Sequence, residues 1–263
     1  MFRQLLLFPA MAGIAGTLLV AFPAQAALDA PEMKKLLQEI DDRQRNTGDY
    51  RALVYLEQKE KDKTDVVREA LVYRRDADDK LLILFTKPKT EQGTGYLRIE
   101  KNLWFYDPAT GKWERRTERE RIAGTDSRRA DFDESRLAEE YAPGFENEAK
   151  LGAFDTYVLK LTAREGVDVA FPVLKLWVDK ASHNILKRQE FALSGRLMRT
   201  AYYPRWKKLF SDSKKADVWY PEEMRFYDEI EKANSTLVLI KTVDLRPLEA
   251  NIFTKAWLES KTR

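Results

Sequence analysis

The stretch GTGYLRIEKNLWFYDPATGKWERRT, Gly93 to Thr117, decides the fold. Pro108-Ala109-Thr110-Gly111 puts proline and glycine where a tight turn favours them, and Lys101-Asn102 marks a second turn. Between the turns, strand alternation sets Leu103 and Phe105 on one side and Trp104 and Tyr106 on the other. Both sides are large and apolar, so both must be covered. In a one-layer antiparallel sheet, a second apolar face implies helices or a ligand over it. LLILF at 81–85 and LVLI at 237–240 repeat the pattern, which an ordinary filled barrel core would also satisfy.

Working outward, period-two runs separated by short polar turns continue in both directions. DYRALVYLEQKEK and DVVREALVYRRD precede the stretch; FDTYVLKLTARE, FPVLKLWVDK, HNILKRQEFAL, GRLMRTAYYPRW, WYPEEMRFYDEI and STLVLIKTVDLRP follow it. The reading is a mainly β chain of about eleven antiparallel strands. Three segments carry helical signals instead. PEMKKLLQEIDDRQR, 31–45, opens on proline and spaces Met33, Leu36, Leu37 and Ile40 as one apolar stripe. DFDESRLAEEYAP predicts a short helix over 133–141, stopped by Pro-Gly, and NIFTKAWLES predicts a closing one.

The first residues place Arg3 before an apolar run that closes on Ala24-Gln25-Ala26, the pattern a signal peptidase cuts after. Residues 1–26 then form a cleaved signal, and 27–263 one domain. The alternative is an uncleaved anchor, since Leu5 to Phe22 is long enough to span a bilayer; the glycines, prolines and Ala-Gln-Ala exit favour cleavage. With no cysteine there is neither a lipid-anchor site nor a disulfide scaffold, so an apolar core must hold an exported domain. Loss of Arg3 takes the net charge from +3 to +2, which implies no nucleic-acid partner.

Chemistry is poorly represented. The one histidine, His183, lies in a polar connection, too little for a triad, and a turn role fits it better. Asp126, Asp131, Asp133 and Glu134 lack the spacing of a calcium loop, so no metal site is read. No glycine-rich phosphate or dinucleotide loop exists, so no cofactor is read. Paired carboxylates for glycoside chemistry are available only in the sense that acids are plentiful. No catalytic residue is assigned.

The run quoted first, then RIAGTDSRRADFDESRL (121–137), LKLWVDKASHNILKRQEF, YPEEMRFYD and NIFTKAWLE, resembles the LolA-like outer-membrane lipoprotein-sorting proteins. The likeness is closest to the branch associated with inner-membrane exporters, and it spans the mature chain. Where that branch usually reads Gly-Ser-Asp-Phe and then Asp-Leu, this chain has Gly124-Thr125-Asp126-Ser127-Arg128-Arg129 and Asp131-Phe132-Asp133, so an aromatic is replaced. The resemblance implies an unclosed antiparallel β-barrel whose hollow is covered by helices. It implies a periplasmic, monomeric carrier of acyl chains, taking lipidated protein or lipid cargo from an inner-membrane exporter of the RND or ABC type toward the outer membrane. Returning each methylene to water costs about 0.8 kcal/mol, so such a crossing needs a sealed cavity and a lid that opens.

On that basis Leu82, Leu84, Trp104, Tyr106, Leu174 and Leu176 are expected to line the hollow. Leu36, Ile40 and Leu137 belong to the lid, and Gly124 and Asp126 to its hinge. Asp126 or Asp131 would cap the lid helix, with Arg128 and Arg129 facing solvent or a partner. Two rival readings stand beside the carrier. An envelope module that binds a peptide or a transporter's soluble domain would have a filled core, and an envelope hydrolase would cluster carboxylates in a cleft.

Overall fold

A computed structural model of the chain describes residues 28–99, 102–117 and 119–261. The expected export signal at 1–26 and Lys101 of the expected turn lie outside them.

The first element, α1 (Ala30–Gln44), begins at an Asp29 N-cap, whose carboxylate accepts from Glu32 N at 2.8 Å while Glu32 accepts from Asp29 N at 2.9 Å. That reciprocal pair satisfies two amides that a helix start leaves bare. Pro31 sits in the first turn, and Met33, Leu36, Leu37 and Ile40 are buried as the spacing predicts. Asp41 is buried with them.

Six strands follow: β1 (Asp49–Lys59), β2 (Val66–Arg75), β3 (Lys80–Lys87), β4 (Gly95–Ile99), β5 (Asn102–Asp107) and β6 (Lys112–Arg116). A connection then leads to α2 (Leu137–Glu140), and seven more strands complete the sheet. These are β7 (Tyr141–Leu151), β8 (Phe154–Ala163), β9 (Val173–Asp179), β10 (Ile185–Phe191), β11 (Leu197–Ser211), β12 (Ala216–Asp228) and β13 (Ser235–Asp244). The helix α3 (Lys255–Ser260) closes the described chain.

All thirteen strands found among the described residues form one antiparallel sheet, ordered β6-β5-β4-β3-β2-β1-β13-β12-β11-β10-β9-β8-β7. Neighbours in sequence pair, and β1 pairs β13, with Leu56 opposite Val238. The order leaves β6 and β7 at its two ends, so the barrel is unclosed. A twisted sheet this wide curls. Its inner face gathers Val54, Ile83, Leu159, Leu176, Tyr203 and Phe226, with the apolar stripe of α1, into one core.

Thirteen strands exceed the expected eleven. β7 is the strand that Pro143 and Gly144 conceal in the sequence; both are tolerated because β7 is an edge. The helix expected over 133–141 is only the single turn α2, because Tyr141 passes directly into β7.

The second apolar face of β3 and β5 is covered as well. Tyr73, Leu82, Leu84, Leu97 and Tyr106 pack on the outside of the sheet against Ile252, Phe253 and Leu258. The Trp113 indole donates to the Glu259 carboxylate at 2.7 Å and fixes α3 there.

Candidate functional site

Residues 119–136 run from the β6 end of the sheet toward β7 by way of its concave side. They begin as a tight loop: Ile122 N donates to Ser127 O at 2.9 Å, and Ile122 is fully buried. Gly124 takes the left-handed φ of +69° expected of it. Ala123 has φ +51°, a conformation that strains a residue bearing a Cβ. Two contacts pin the pair: Ala123 N donates to the Tyr96 hydroxyl at 3.0 Å, and Gln58 donates to Gly124 O at 3.1 Å.

Asp126 does not cap a helix. Its amide donates to the Thr236 hydroxyl at 2.9 Å, and that hydroxyl donates back to its carboxylate at 3.2 Å. Burial pushes the Asp126 carboxyl above its ordinary value against the pull of Arg121.

Then Asp131-Phe132-Asp133-Glu134 crosses the hollow. Phe132 enters the core, and the three acids turn to arginines from elsewhere in the chain. The Asp131 side chain is fully buried. It accepts from Arg199 Nη1 at 2.7 Å and Nη2 at 3.0 Å, from Arg188 Nη2 at 2.6 Å, and from Arg128 N at 2.7 Å. Asp133 pairs with Arg98 and Arg129, and its carbonyl accepts from Arg74 at 3.1 Å. Glu134 meets Arg45 at 2.7 Å. Burial opposes ionisation of Asp131, and the charges of Arg199 and Arg188 outweigh it, holding the carboxyl below its ordinary value. No single helix face presents side chains in three directions, so this stretch is turns rather than the expected helix.

The short α2 is capped from another element. Asp41 of α1 accepts from Leu137 N at 3.0 Å, Ala138 N at 2.7 Å and Ser135 Oγ at 2.6 Å. Segment 129–140 is therefore a plug, held to the strands by ion pairs and by Phe132 and Leu137 in the core, and to α1 by Asp41 and the Arg45–Glu134 pair.

The plug leaves two cavities of about 80 Å³ each. One is walled by Tyr50, Val72, Tyr203, Trp206, Trp219 and Met224, the other by Arg128, Tyr141, Phe171, Leu174, Arg188 and Arg199. An apolar cavity of about 150 Å³ takes one benzene ring, so neither holds an acyl chain while the plug is in place.

The structure does not bring the six expected wall residues together. Leu174 and Leu176 lie on the inner face with Leu159 and Leu161. Leu82, Leu84 and Tyr106 lie on the outer face under the chain's C-terminal segment, and Trp104 shares that side beneath the Lys255 ammonium, 3.9 Å from its ring. Their partners by alternation, Leu81, Ile83, Leu103 and Phe105, face inward instead. Leu36, Ile40 and Leu137 meet in the inner core. Arg129, expected in solvent, pairs with Asp133, and Arg128 lies half-buried over the Phe171 ring at 5.7 Å.

The inward charges Arg74, Arg98, Arg188, Glu190 and Arg199 were not singled out in the sequence. The available signal was alternation: Arg199 is in series with Ala201 and Tyr203, which face the core. Asp41 was likewise visible as an acid four residues after Leu37 on an apolar stripe. Among the described residues no group of His, Cys, Asp and Glu could hold a metal ion, and no helix is long and apolar enough to cross a membrane.

A family profile described as "Uncharacterized protein" matches residues 77–260. No curated protein matches the sequence. Among solved structures, a LolA superfamily protein from Nitrosomonas europaea has 20% identity and a TM-score of 0.72, covering 88% of this chain and 100% of that one. A putative outer membrane lipoprotein-sorting protein domain from Vibrio parahaemolyticus has 22% identity and a TM-score of 0.74, with coverage of 88% and 100%. A DUF1329 family protein from Desulfovibrio piger has 20% identity and a TM-score of 0.74, with coverage of 87% and 98%.

Proposed function

From its membership of the family whose profile spans residues 77–260, and from its LolA-like fold, we propose that the chain is a periplasmic carrier. It shelters acyl chains of lipoproteins or other lipids in the hollow of its sheet, between an inner-membrane exporter and the outer membrane. Residues 1–26 serve as the export signal, and 27–263 form the carrier domain.

The observation that carries the reading is the plug. A filled core gains nothing from a segment that crosses it on charged residues, since buried ion pairs are weak stabilisers compared with apolar packing. Here the connection between the two end strands carries three acids into the concave side, each matched to an arginine. Withdrawing it would open a space walled by the aromatic and aliphatic residues of both small cavities. The strands behind are joined by continuous hydrogen-bonded ladders and would remain.

Native mass spectrometry of protein recovered from cells with an intact envelope tests this. The expected result is a population carrying lipid mass. Protein uniformly free of lipid, which also takes up none from detergent-dispersed lipid, would favour the envelope module that binds a partner without internal cargo.

A further inference from the structure

We propose that the hollow selects amphiphiles with an anionic head, a phosphate or carboxylate, and that Asp131 occupies the place of that head while the carrier is empty. The inference deepens the carrier reading and rests on it.

Arg188 and Arg199 project from neighbouring strands into the concave side, Arg199 buried and the Arg188 side chain 14% exposed, and share two carboxylates. One is Glu190, fixed on β10: it accepts from Arg199 Nη2 at 2.8 Å and lies 2.7 Å from Arg188. The other is Asp131, which belongs to the plug and accepts from both guanidiniums. Its two oxygens take two parallel bonds from Arg199 and a third from Arg188, the forked pattern by which guanidiniums grip phosphate and carboxylate groups.

Cargo loading must withdraw the plug, because neither cavity admits a chain. Withdrawal removes Asp131 and leaves two guanidiniums, Arg199 buried and Arg188 largely so, facing one carboxylate. The remaining surroundings offer no second counter-charge, only the Asp126 carbonyl, which accepts from Arg199 Nη1 at 2.5 Å, and aromatic faces. Arg199 lies over the Phe226 ring at 4.6 Å and the Phe171 ring at 5.4 Å, and Arg188 lies 5.7 Å from the Tyr203 ring. A buried charge without a partner is strongly unfavourable, and an acyl chain filling the hollow excludes the water that could otherwise solvate it. A neutral amphiphile would leave that surplus standing. An anionic head would replace Asp131 oxygen for oxygen.

A second observation points the same way. Arg128, on the wall of the cavity beside Arg199, has a buried Nε with no hydrogen-bond partner among the described residues. Burial, and then the like charges of Arg199 and Arg121, lower its guanidinium from the ordinary value. The cavity therefore presents a guanidinium N–H that the plug in place leaves without an acceptor.

The test is a chain-matched series on the wild-type protein: hexadecyl phosphate, palmitate, neutral monopalmitoylglycerol and cationic hexadecyltrimethylammonium, each below its micelle threshold, with inorganic phosphate alone as a further arm. The two anionic amphiphiles should bind at least about tenfold more tightly than the neutral one, with the cation weakest. Asp131→Asn should raise the anionic-to-neutral affinity ratio, because it removes the internal competitor. A latch that acted only by holding the lid shut would raise both affinities equally and leave the ratio unmoved. The charge-balanced double variant Asp131→Asn with Arg188→Gln should bring the two affinities together.

Equal affinity for hexadecyl phosphate and monopalmitoylglycerol in the wild type overturns the inference and leaves the carrier reading intact. Binding of no amphiphile overturns both. Inorganic phosphate bound as tightly as hexadecyl phosphate overturns the lipid assignment, because the site would then serve a free anion.

Discussion

Asp131 shows what one side chain contributes to this architecture. Its side chain is wholly buried, it pairs with two guanidiniums at once, and it accepts from Arg128 N, which tightens the turn before Phe132. Asp131→Ala leaves Arg188 and Arg199 sharing Glu190 and should cost about 3–5 kcal/mol in denaturant unfolding. The pH dependence follows from the sign of the shift. The folded carboxyl is held below its ordinary 3.8, so its contribution is complete above that value and is lost as pH falls through the lower folded one. The Tm difference between wild type and Asp131→Asn should therefore stay constant from about pH 5 to 8 and close only in stronger acid. A difference that closed between about pH 7 and 5 would place the latch on another group. Asp41 makes the complementary case: Asp41→Ala orphans the buried amide of Leu137 and the half-buried amide of Ala138 and should cost about 2–3 kcal/mol.

At the scale of elements, α3 is a short clasp whose seat depends on a missing side chain. A Cβ on Gly95 would stand 2.7 Å from Ile83 O and 2.9 Å from Leu258 Cδ1, and backbone cannot yield as a side chain can. Gly95→Ala should thus lift α3 from the sheet, costing about 1–3 kcal/mol. It should also weaken the near-ultraviolet signal of Trp257, which meets the Tyr73 ring edge-on at 5.5 Å. The same region shows where the sequence was legible and where it was not. That β3 and β5 are apolar on both faces, that α1 carries a stripe, and that NIFTKAWLES holds a short helix are local patterns, and they hold. Which face of β3 turns inward is not local. Leu82 and Ile83 are equally apolar, so period two offers two equivalent assignments, and only the placing of α3 on one side breaks the tie. The plug was opaque for a related reason. Its acids are recognised by arginines distant in the chain, Asp133 by Arg98 and Asp131 by Arg188 and Arg199, and a composition rich in both signs does not reveal which pairs meet.

For the whole molecule, the question is whether the plug must leave for the hollow to work. Its strand contacts are ion pairs plus the two apolar anchors Phe132 and Leu137, whereas the sheet behind it is continuous from β6 to β7 through twelve antiparallel pairings. Opening should therefore be a local event of lower free energy than unfolding. The chain has no cysteine, so a tether can be placed without competition. Ser135 Oγ donates to Asp41 Oδ1 at 2.6 Å, joining the plug to α1. Ser135→Cys with Asp41→Cys, bridged by a bifunctional thiol reagent, ties the plug to a fixed part of the scaffold. The bridged protein should unfold at an equal or higher temperature than the unbridged double variant, because the tether removes conformations only from open and unfolded states. It should neither load nor release a fluorescent acyl probe, and a cleavable reagent should restore both on cleavage. The two readouts separate causes: lost exchange with lost stability would mean a damaged fold, whereas lost exchange at preserved stability means a blocked gate. A bridged protein that exchanged the probe at the unbridged rate would make residues 129–140 fixed scaffold, and cargo would then have to pass elsewhere, between α1 and the β11–β12 hairpin where Trp206 and Trp219 line the wall.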